Sequence, residues 1–468
     1  MFQELVQTQR DFFNTHKSKD ISFRKNALQN LKQSILNHRD EICSALCDDL
    51  GKHPLEGYMA EVVLVLEEIN HALKDIEKYA KPKRVISPIT HFMGKSEVYY
   101  EPYGVALVIS PWNYPFALSM TPLIGAIASG NCVILKPSSY SKKTEEVICK
   151  IIEECFEREY VCVVCGGHQE VQGLLEEHLD YIFFTGSVQV GKIVMEKASK
   201  HLTPVTLELG GKNPCIIEGS ADLDLAVKRV VWAKFFNSGQ TCIAPDYVLV
   251  DQKFQKVFIE KVQKQLKEYF GEDAMVSKDF GKIITQRHYE RAKSLLDMNV
   301  GRVYGGRWDD EAHKIEPTII DFGLLSEAKK ALETPMMQDE IFAPFMPVFF
   351  YQDLKECINL IHSFQRPLAL YLFTQDKAVE QKIIKEISYG GGCINDCIMH
   401  IANPYLPFGG VGYSGMGSYH GKASFETFSH KKSIYHSPKF EIPLRYPPFD
   451  KPIFGIARKK LLDFLFAR

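Results

Sequence analysis

The sequence has no excess of charge of one sign, no long apolar run and no evident cysteine framework, and each lack removes a class of function. Fifty-six lysines and arginines stand against 58 aspartates and glutamates, a net charge of −2. The basic residues are spread along the chain, so no nucleic-acid footprint is expected. No apolar run reaches the 18 or so residues of a membrane span. The opening MFQELVQTQRDFF carries an acid early and no apolar core, so a secretory signal is not expected either. Twelve cysteines scattered through 468 residues then fit a reduced cytoplasmic setting better than a disulfide framework. Cys162 and Cys165 have metal or redox spacing. No second pair or nearby histidine pair completes a zinc site, and the flanking valines read as a strand, so buried thiols and no metal are expected.

What is present is apolar material for more than one core, 45% of the chain. Residues 1 to 80 read as helical, with apolar positions at three- and four-residue steps through Leu28, Leu31, Ile35, Ile42 and Leu46, and again through Val62, Val65, Leu66 and Ile69. Lys81-Pro82-Lys83 breaks the pattern. Strands are then expected at 97–100, 104–109, 131–135, 161–164 and 181–184, with helices at 142–157, 170–177 and 188–200. A second alternating stretch runs from Val205 to about Leu372, with no internal repeats. Such alternation argues for parallel sheets covered on both faces, in two α/β domains with extra segments between and after them.

Four segments carry chemistry. In Phe183-Phe-Thr-Gly-Ser-Val188 an apolar strand meets glycine and serine and a helix opens at once, which offers free N–H groups to a phosphate. Leu207-Glu-Leu-Gly-Gly211 flanks Glu208 with leucines, and a desolvated carboxylate can take a proton near neutral pH. Phe236-Asn-Ser-Gly-Gln-Thr-Cys242 sets a cysteine in a polar turn between a helix and a strand, the best nucleophile candidate of the twelve. Ser110-Pro-Trp-Asn113 follows a buried strand, where an amide could hold an oxyanion. Taken singly, each has a competing structural reading. These are an ordinary strand-to-helix turn, a paired acid at a domain junction, an inert core thiol and a proline-fixed turn.

Together and in this order, the segments resemble the aldehyde dehydrogenase superfamily along nearly the whole chain. Pro111-Trp-Asn-Tyr-Pro-Phe116, Phe184-Thr-Gly-Ser187, Leu207-Glu-Leu-Gly-Gly-Lys212, Gly239-Gln-Thr-Cys242, Glu340-Ile-Phe-Ala-Pro344 and Asn403-Pro-Tyr-Leu-Pro-Phe-Gly-Gly410 are similar to its signatures. The short N-terminus and Gly417-Ser-Tyr-His-Gly-Lys-Ala-Ser-Phe-Glu-Thr-Phe428 resemble the class 3 branch of fatty and aromatic aldehyde dehydrogenases. The resemblance implies an α/β chain with a Rossmann-type nucleotide domain (1–85 and 104–209), an α/β catalytic domain (210–405) and a small oligomerisation arm (86–103 and 406–445). A C-terminal tail follows, 446–468.

It also implies roles. Cys242 would attack the aldehyde, Asn113 and the Cys242 N–H would hold the oxyanion, and Glu208 would activate water on the thioester. NAD or NADP would accept the hydride, with Lys136 on the adenosine ribose, Ser187 at the pyrophosphate among Gly186, Gly191 and Leu209, and Glu340 with Phe342 at the nicotinamide ribose. Many relatives carry a glutamate three residues after the lysine; Ser139 stands there, which removes a repulsion toward a 2′-phosphate and leaves NADP usable. Tyr114, Trp232 and Tyr58 are implied for an aromatic channel that favours medium- to long-chain or aromatic aldehydes. A homodimer is implied. Acyl-CoA-forming relatives lack the general base, so Glu208 argues against that chemistry, and a non-catalytic binding protein of this fold is the remaining alternative. Residues 454–468, with Arg458, Lys459 and Lys460 beside an apolar side, would form a helix of about 20 Å. That suits peripheral contact with an anionic membrane or docking on the protein itself.

Overall fold

The computed structural model describes residues 2–91, 93–439 and 446–448, together with positions 455, 459, 460, 463 and 464. The helix expected over 454–468 therefore lies largely outside the described residues. No helix among the described residues is long and apolar enough to cross a membrane.

The helical N-terminus forms as Gln3–Asn14, Ile21–Asn37, Arg39–Leu50 and a long segment from Pro54 to Ala80. Asp20 caps the second of these by accepting from Phe23 N at 2.8 Å. Leu28, Leu31 and Ile35 are fully buried along one face, as their spacing requires. The long segment widens into a π-helical turn over Tyr58–Val63. That turn sets Glu61 against the start of a later helix.

Next comes a six-stranded sheet in the order Gly415–Met416, Val205–Glu208, Tyr181–Thr185, Val105–Ile109, Cys132–Lys136, Val161–Val163. All neighbours are parallel except the edge strand Gly415–Met416. Val105–Ile109, Cys132–Lys136 and Tyr181–Thr185 are buried at every position, which is why they read as unbroken apolar runs. The chain leaves Val105–Ile109 in one direction and returns on its other side at Tyr181–Thr185. The carboxyl ends of the two strands therefore border a switch point, where doubly wound sheets bind ligands. Ser110–Asn113 leaves one end and Gly186–Ser187 the other.

Helix Ala117–Ser129 is buried along its whole length, as a helix apolar on all sides must be. Gly125 lets a later helix lie against it, since a Cβ there would fall 2.6 Å from Ser424 Cβ. A seven-stranded sheet follows, ordered Arg302–Tyr304, Thr318–Leu324, Phe345–Tyr351, Tyr247–Asp251, Pro214–Ile217, Ala369–Phe373, Gly391–Ile394. Only its first strand runs antiparallel.

The chain divides into a large compact unit, residues up to Ala80 with Glu101–His430, and a small one, Lys81–Tyr100 with the described residues from Lys431 on. The small unit is built on the sheet Lys83–Val85, Lys95–Pro102, Ser429–His436. The boundaries expected for the arm thus need correcting: residues 406–430 belong to the large unit. The reason is local. Gly415 brings its backbone so close to Leu207 that a Cβ would lie 2.1 Å from Leu207 O, and the strand it starts completes the six-stranded sheet.

A second correction concerns the cysteines. The strand ends at Val163, so Cys165 falls in the exposed turn beyond it and is disulfide-bonded to Cys149 on helix Lys142–Cys155. Cys162 remains a buried free thiol beside Gln9 Nε2, at 3.4 Å.

Candidate active site

Helix Leu223–Phe235, capped by Asp222 accepting from Leu225 N at 3.1 Å, delivers the chain to a tight turn. Asn237, Ser238 and Gly239 take φ of 51°, 53° and 75°. Three successive left-handed residues, two of them not glycine, need tertiary support. It comes from buried amides. Gln240 Nε2 donates to Asn237 O and Lys282 O, both at 3.0 Å, while its Oε1 accepts from Ile284 N at 3.1 Å. Asn237 Nδ2 donates to Gln240 O and, at 2.9 Å, to Asn113 O. A Cβ on Gly239 would sit 2.4 Å from Ala343 O, so glycine is required both for φ and for space.

This turn presents Cys242, partly exposed, at its far end. The Cys242 carbonyl is held by Asn213 Nδ2 at 2.7 Å, and the next carbonyl, of Ile243, by the Tyr371 hydroxyl at 2.6 Å. Asn113 is 3% exposed, and its Nδ2 donates to Gln240 O at 3.0 Å. An amide nitrogen carries two protons, so one remains for a ligand. The Tyr114 hydroxyl meets Thr241 Oγ1 at 2.7 Å.

Burial pushes the Cys242 thiol up to about 12, and the nearby carboxyls of Glu340 and Glu208 add to the rise. Glu208 ends strand Val205–Glu208, is 3% exposed, and has neither carboxylate oxygen hydrogen-bonded. Burial holds its acid well above the usual carboxylate range. Glu340 is raised to about 8, chiefly by burial, with Asp246 and Asp339 adding. Its Oε1 has no hydrogen-bond partner, and a Cβ on Gly210 would fall 2.1 Å from its Oε2. Gly210 therefore makes room for this carboxylate, while Gly211 makes room for the backbone of Pro367 and Leu368. Protonated or partnerless buried acids of this kind are what a site for proton transfer requires.

The groups expected around a dinucleotide line the carboxyl ends of the six-stranded sheet. Lys136 closes its strand, 2% exposed, with Nζ 2.5 Å from Pro137 O and 3.9 Å from Glu145 Oε1. Burial lowers its pKa. Glu145 Oε1 also accepts from Gly166 N at 3.1 Å. Ser139 is exposed beside Gly167, where a Cβ would be 3.8 Å from Ser139 Oγ. Gly186 leads into Ser187, which caps helix Val188–Ser199. Gly191 admits Leu209, since a Cβ there would lie 2.7 Å from Leu209 Cδ2. A free helix N-terminus, a buried lysine bonded only to local backbone and acid, and a buried carboxylate oxygen lacking a donor fit a nicotinamide dinucleotide.

Phe342, at φ 52°, meets Trp112 edge-on at 5.3 Å, and Trp112 in turn lies 4.6 Å from His288. His288, lowered to about 4 by burial with Arg287 and Arg291 adding, also touches Tyr140 at 5.7 Å. The sequence marks neither His288 nor Tyr140, because no motif surrounds them.

Of the aromatics expected to line a channel, Tyr114 stacks on Phe236 at 6.4 Å and Trp232 lies 5.1 Å from the same ring. Phe236 was not singled out, though it opens the cysteine segment. Tyr58 has the Arg39 guanidinium 5.9 Å over its ring. Lys52 and Glu61 were also passed over. They form an ion pair at 2.6 Å with both side chains fully buried, and nothing local in the sequence marks them.

Known proteins share this chain's sequence and fold. The family model described as "Aldehyde dehydrogenase family" matches residues 2–434. The chain is 46% identical over 442 residues to a 4,4'-diaponeurosporen-aldehyde dehydrogenase of Staphylococcus aureus, covering 94% of each chain. It is 45% identical over 430 residues to a rat (Rattus norvegicus) aldehyde dehydrogenase named as dimeric and NADP-preferring, covering 92% of this chain and 93% of that one. A solved substrate-bound structure of Staphylococcus aureus AldH superposes with a TM-score of 0.93 at 43% identity, covering 98% and 99% of the two chains. The chain belongs to the aldehyde dehydrogenase family.

Proposed function

We propose that this protein oxidises medium- to long-chain aliphatic or aromatic aldehydes to carboxylic acids with NAD or NADP. The observation that carries the reading is geometric: the Asn113 amide donates to Gln240 O at 3.0 Å, on the turn that presents Cys242, and Glu208 lies buried with neither carboxylate oxygen hydrogen-bonded. Cys242 loses its thiol proton to solvent, and the thiolate adds to the aldehyde carbon to give a thiohemiacetal. The Asn113 amide, aided by the Cys242 N–H, receives the oxyanion, a role worth about 3 kcal/mol for a single donor in other oxyanion holes. Collapse of the oxyanion re-forms the carbonyl and expels hydride, leaving a thioester on Cys242. The dinucleotide supplies the hydride acceptor. Glu208, in its ionised form, takes a proton from water as the water attacks the thioester and returns it to the departing sulfur, so that the acid and the free thiol are released.

Hydrolysis, rather than transfer of the acyl group to another thiol, is favoured because Glu208 is present and unengaged. NADP use is supported by Ser139, which puts no carboxylate at its position, and by the rat relative's NADP-preferring name. The substrate class rests on the aromatic walls Tyr114, Trp232 and Phe236. A homodimer is part of the proposal, supported by the same relative's description as dimeric. It would elute at twice the mass of one chain in light scattering.

The test is reduced-cofactor formation with hexanal, dodecanal and benzaldehyde, each with NAD and NADP, beside a Cys242→Ala control. Turnover that vanishes in the control supports the reading. No turnover with any pair, in folded protein that still binds cofactor, overturns it in favour of a binding role.

A further inference from the structure

Beneath the site lies an ion pair that the reaction as written does not use. Lys52 and Glu61 are both fully buried, and every polar valence of the pair is occupied. Lys52 Nζ reaches Glu61 Oε1 at 2.6 Å, Asn113 O at 2.9 Å and the face of the Tyr114 ring at 4.0 Å. Glu61 Oε2 accepts from Phe116 N at 2.8 Å and Ala117 N at 3.1 Å, at the start of helix Ala117–Ser129. One ion pair therefore grips both ends of the segment from Asn113 to Ala117. Its other attachment is Asn237, which shares the Asn113 carbonyl and belongs to the turn that carries Cys242.

A buried ion pair is a poor choice for stability alone, because apolar residues of similar volume usually do as well or better. Its geometry gives another reason for it. Asn113 has its carbonyl pinned by Lys52 and Asn237 and its amide by Gln240, so the remaining amide proton has a fixed direction. A preorganised donor loses nothing to reorientation during reaction. The π-helical turn that places Glu61 is a feature often found where function displaces regular helix.

We propose that Lys52 and Glu61 are positioning residues for the oxyanion: they hold the Asn113 amide in register with Cys242 without touching substrate. The inference rests on the reading of Asn113 as the oxyanion donor. Removing the lysine's grip lets the donor drift, and misplacement by about 1 Å costs on the order of 100-fold in rate.

The test compares four full-length proteins: the parent, Asn113→Ala, the charge-neutral pair Lys52→Met with Glu61→Gln, and all three substitutions together. The neutral pair keeps an acceptor for Phe116 N and Ala117 N and leaves no unpaired buried charge, which removal of either partner alone would do. The readouts are the first-turnover rate of reduced-cofactor formation with hexanal, the dissociation constant for NAD and the melting temperature. Expected are a fall of about 100-fold for Asn113→Ala and of about 10- to 100-fold for the neutral pair. NAD affinity and melting should be little changed, and the triple variant no slower than Asn113→Ala. Losses that multiply in the triple variant, or a neutral pair that reacts at the parent rate, overturn the inference while leaving the oxyanion role intact. A fall in NAD affinity and melting in step with rate would mark the pair as merely structural and also overturn it. If Asn113→Ala itself reacts at the parent rate, the oxyanion reading fails, and the inference with it.

Discussion

Glu208→Gln should make the protein more resistant to unfolding, and more so as the pH rises. The Glu208 carboxyl is buried with no hydrogen bond to either oxygen, and burial holds its folded pKa well above the usual range. In the unfolded chain the same group ionises near 4.3, roughly the model-peptide value. Between those values the unfolded state binds fewer protons than the folded state, so stability is full below the unfolded pKa and falls as pH climbs towards the folded one. Within that window the slope is at most about 1.4 kcal/mol per pH unit. Glutamine has nearly the same shape and no charge to lose, so its variant escapes this decline. For a chain this long, where each kcal/mol moves the melting temperature by roughly 1–2 °C, the gap between the two proteins should widen steadily as the pH rises above the unfolded pKa. Thermal melts of both proteins at half-unit pH steps check this. A gap that stays constant with pH, or closes as pH rises, would refute the claim that burial raises the Glu208 carboxyl above its ordinary range.

Two other substitutions probe the cofactor corner and the cysteine turn. Ser139→Glu should lower kcat/KM for NADP by about 10-fold or more while sparing NAD, because it sets a carboxylate where the 2′-phosphate is expected; steady-state kinetics with both cofactors decide it. Gly239→Ala should lower the melting temperature and reduce turnover at least 10-fold, since its Cβ would fall 2.4 Å from Ala343 O at a φ of 75°. Unchanged melting and activity would show that the turn relaxes freely.

The fold was legible where periodicity alone decides it. Val105–Ile109 and Tyr181–Thr185 are continuous apolar runs because both faces of their sheet are covered, and Ser187 followed by a helical pattern announces its own cap. The four chemical segments were visible because each is contiguous, with a residue of rare type in a distinctive turn. What stayed hidden depends on residues distant in sequence. Nothing near Lys52 or Glu61 announces that the pair will sit under Asn113, because only the packing of helix Ala117–Ser129 against the π-helical turn brings them there. Asn237 stands inside the cysteine segment, yet its role needs the Asn113 carbonyl to be in place. Cys165 was read as a buried thiol just past a strand over 161–164; the strand stops at Val163, and the segment beyond it carries the exposed Cys165 to Cys149. The edge strand Gly415–Met416 was missed because two residues in a glycine-rich stretch have no pattern to show.

The central claim is that Cys242 carries the acyl group and Glu208 releases it. The most direct measurement is rapid mixing of the Glu208→Gln variant with dodecanal and NAD, followed by mass analysis of the protein. The account predicts about one reduced cofactor per chain, an acyl mass on Cys242, and then turnover at least 100-fold slower than the parent, the usual scale of a lost general base. Continued turnover at the parent rate, or a burst with no acyl group on Cys242, would contradict it.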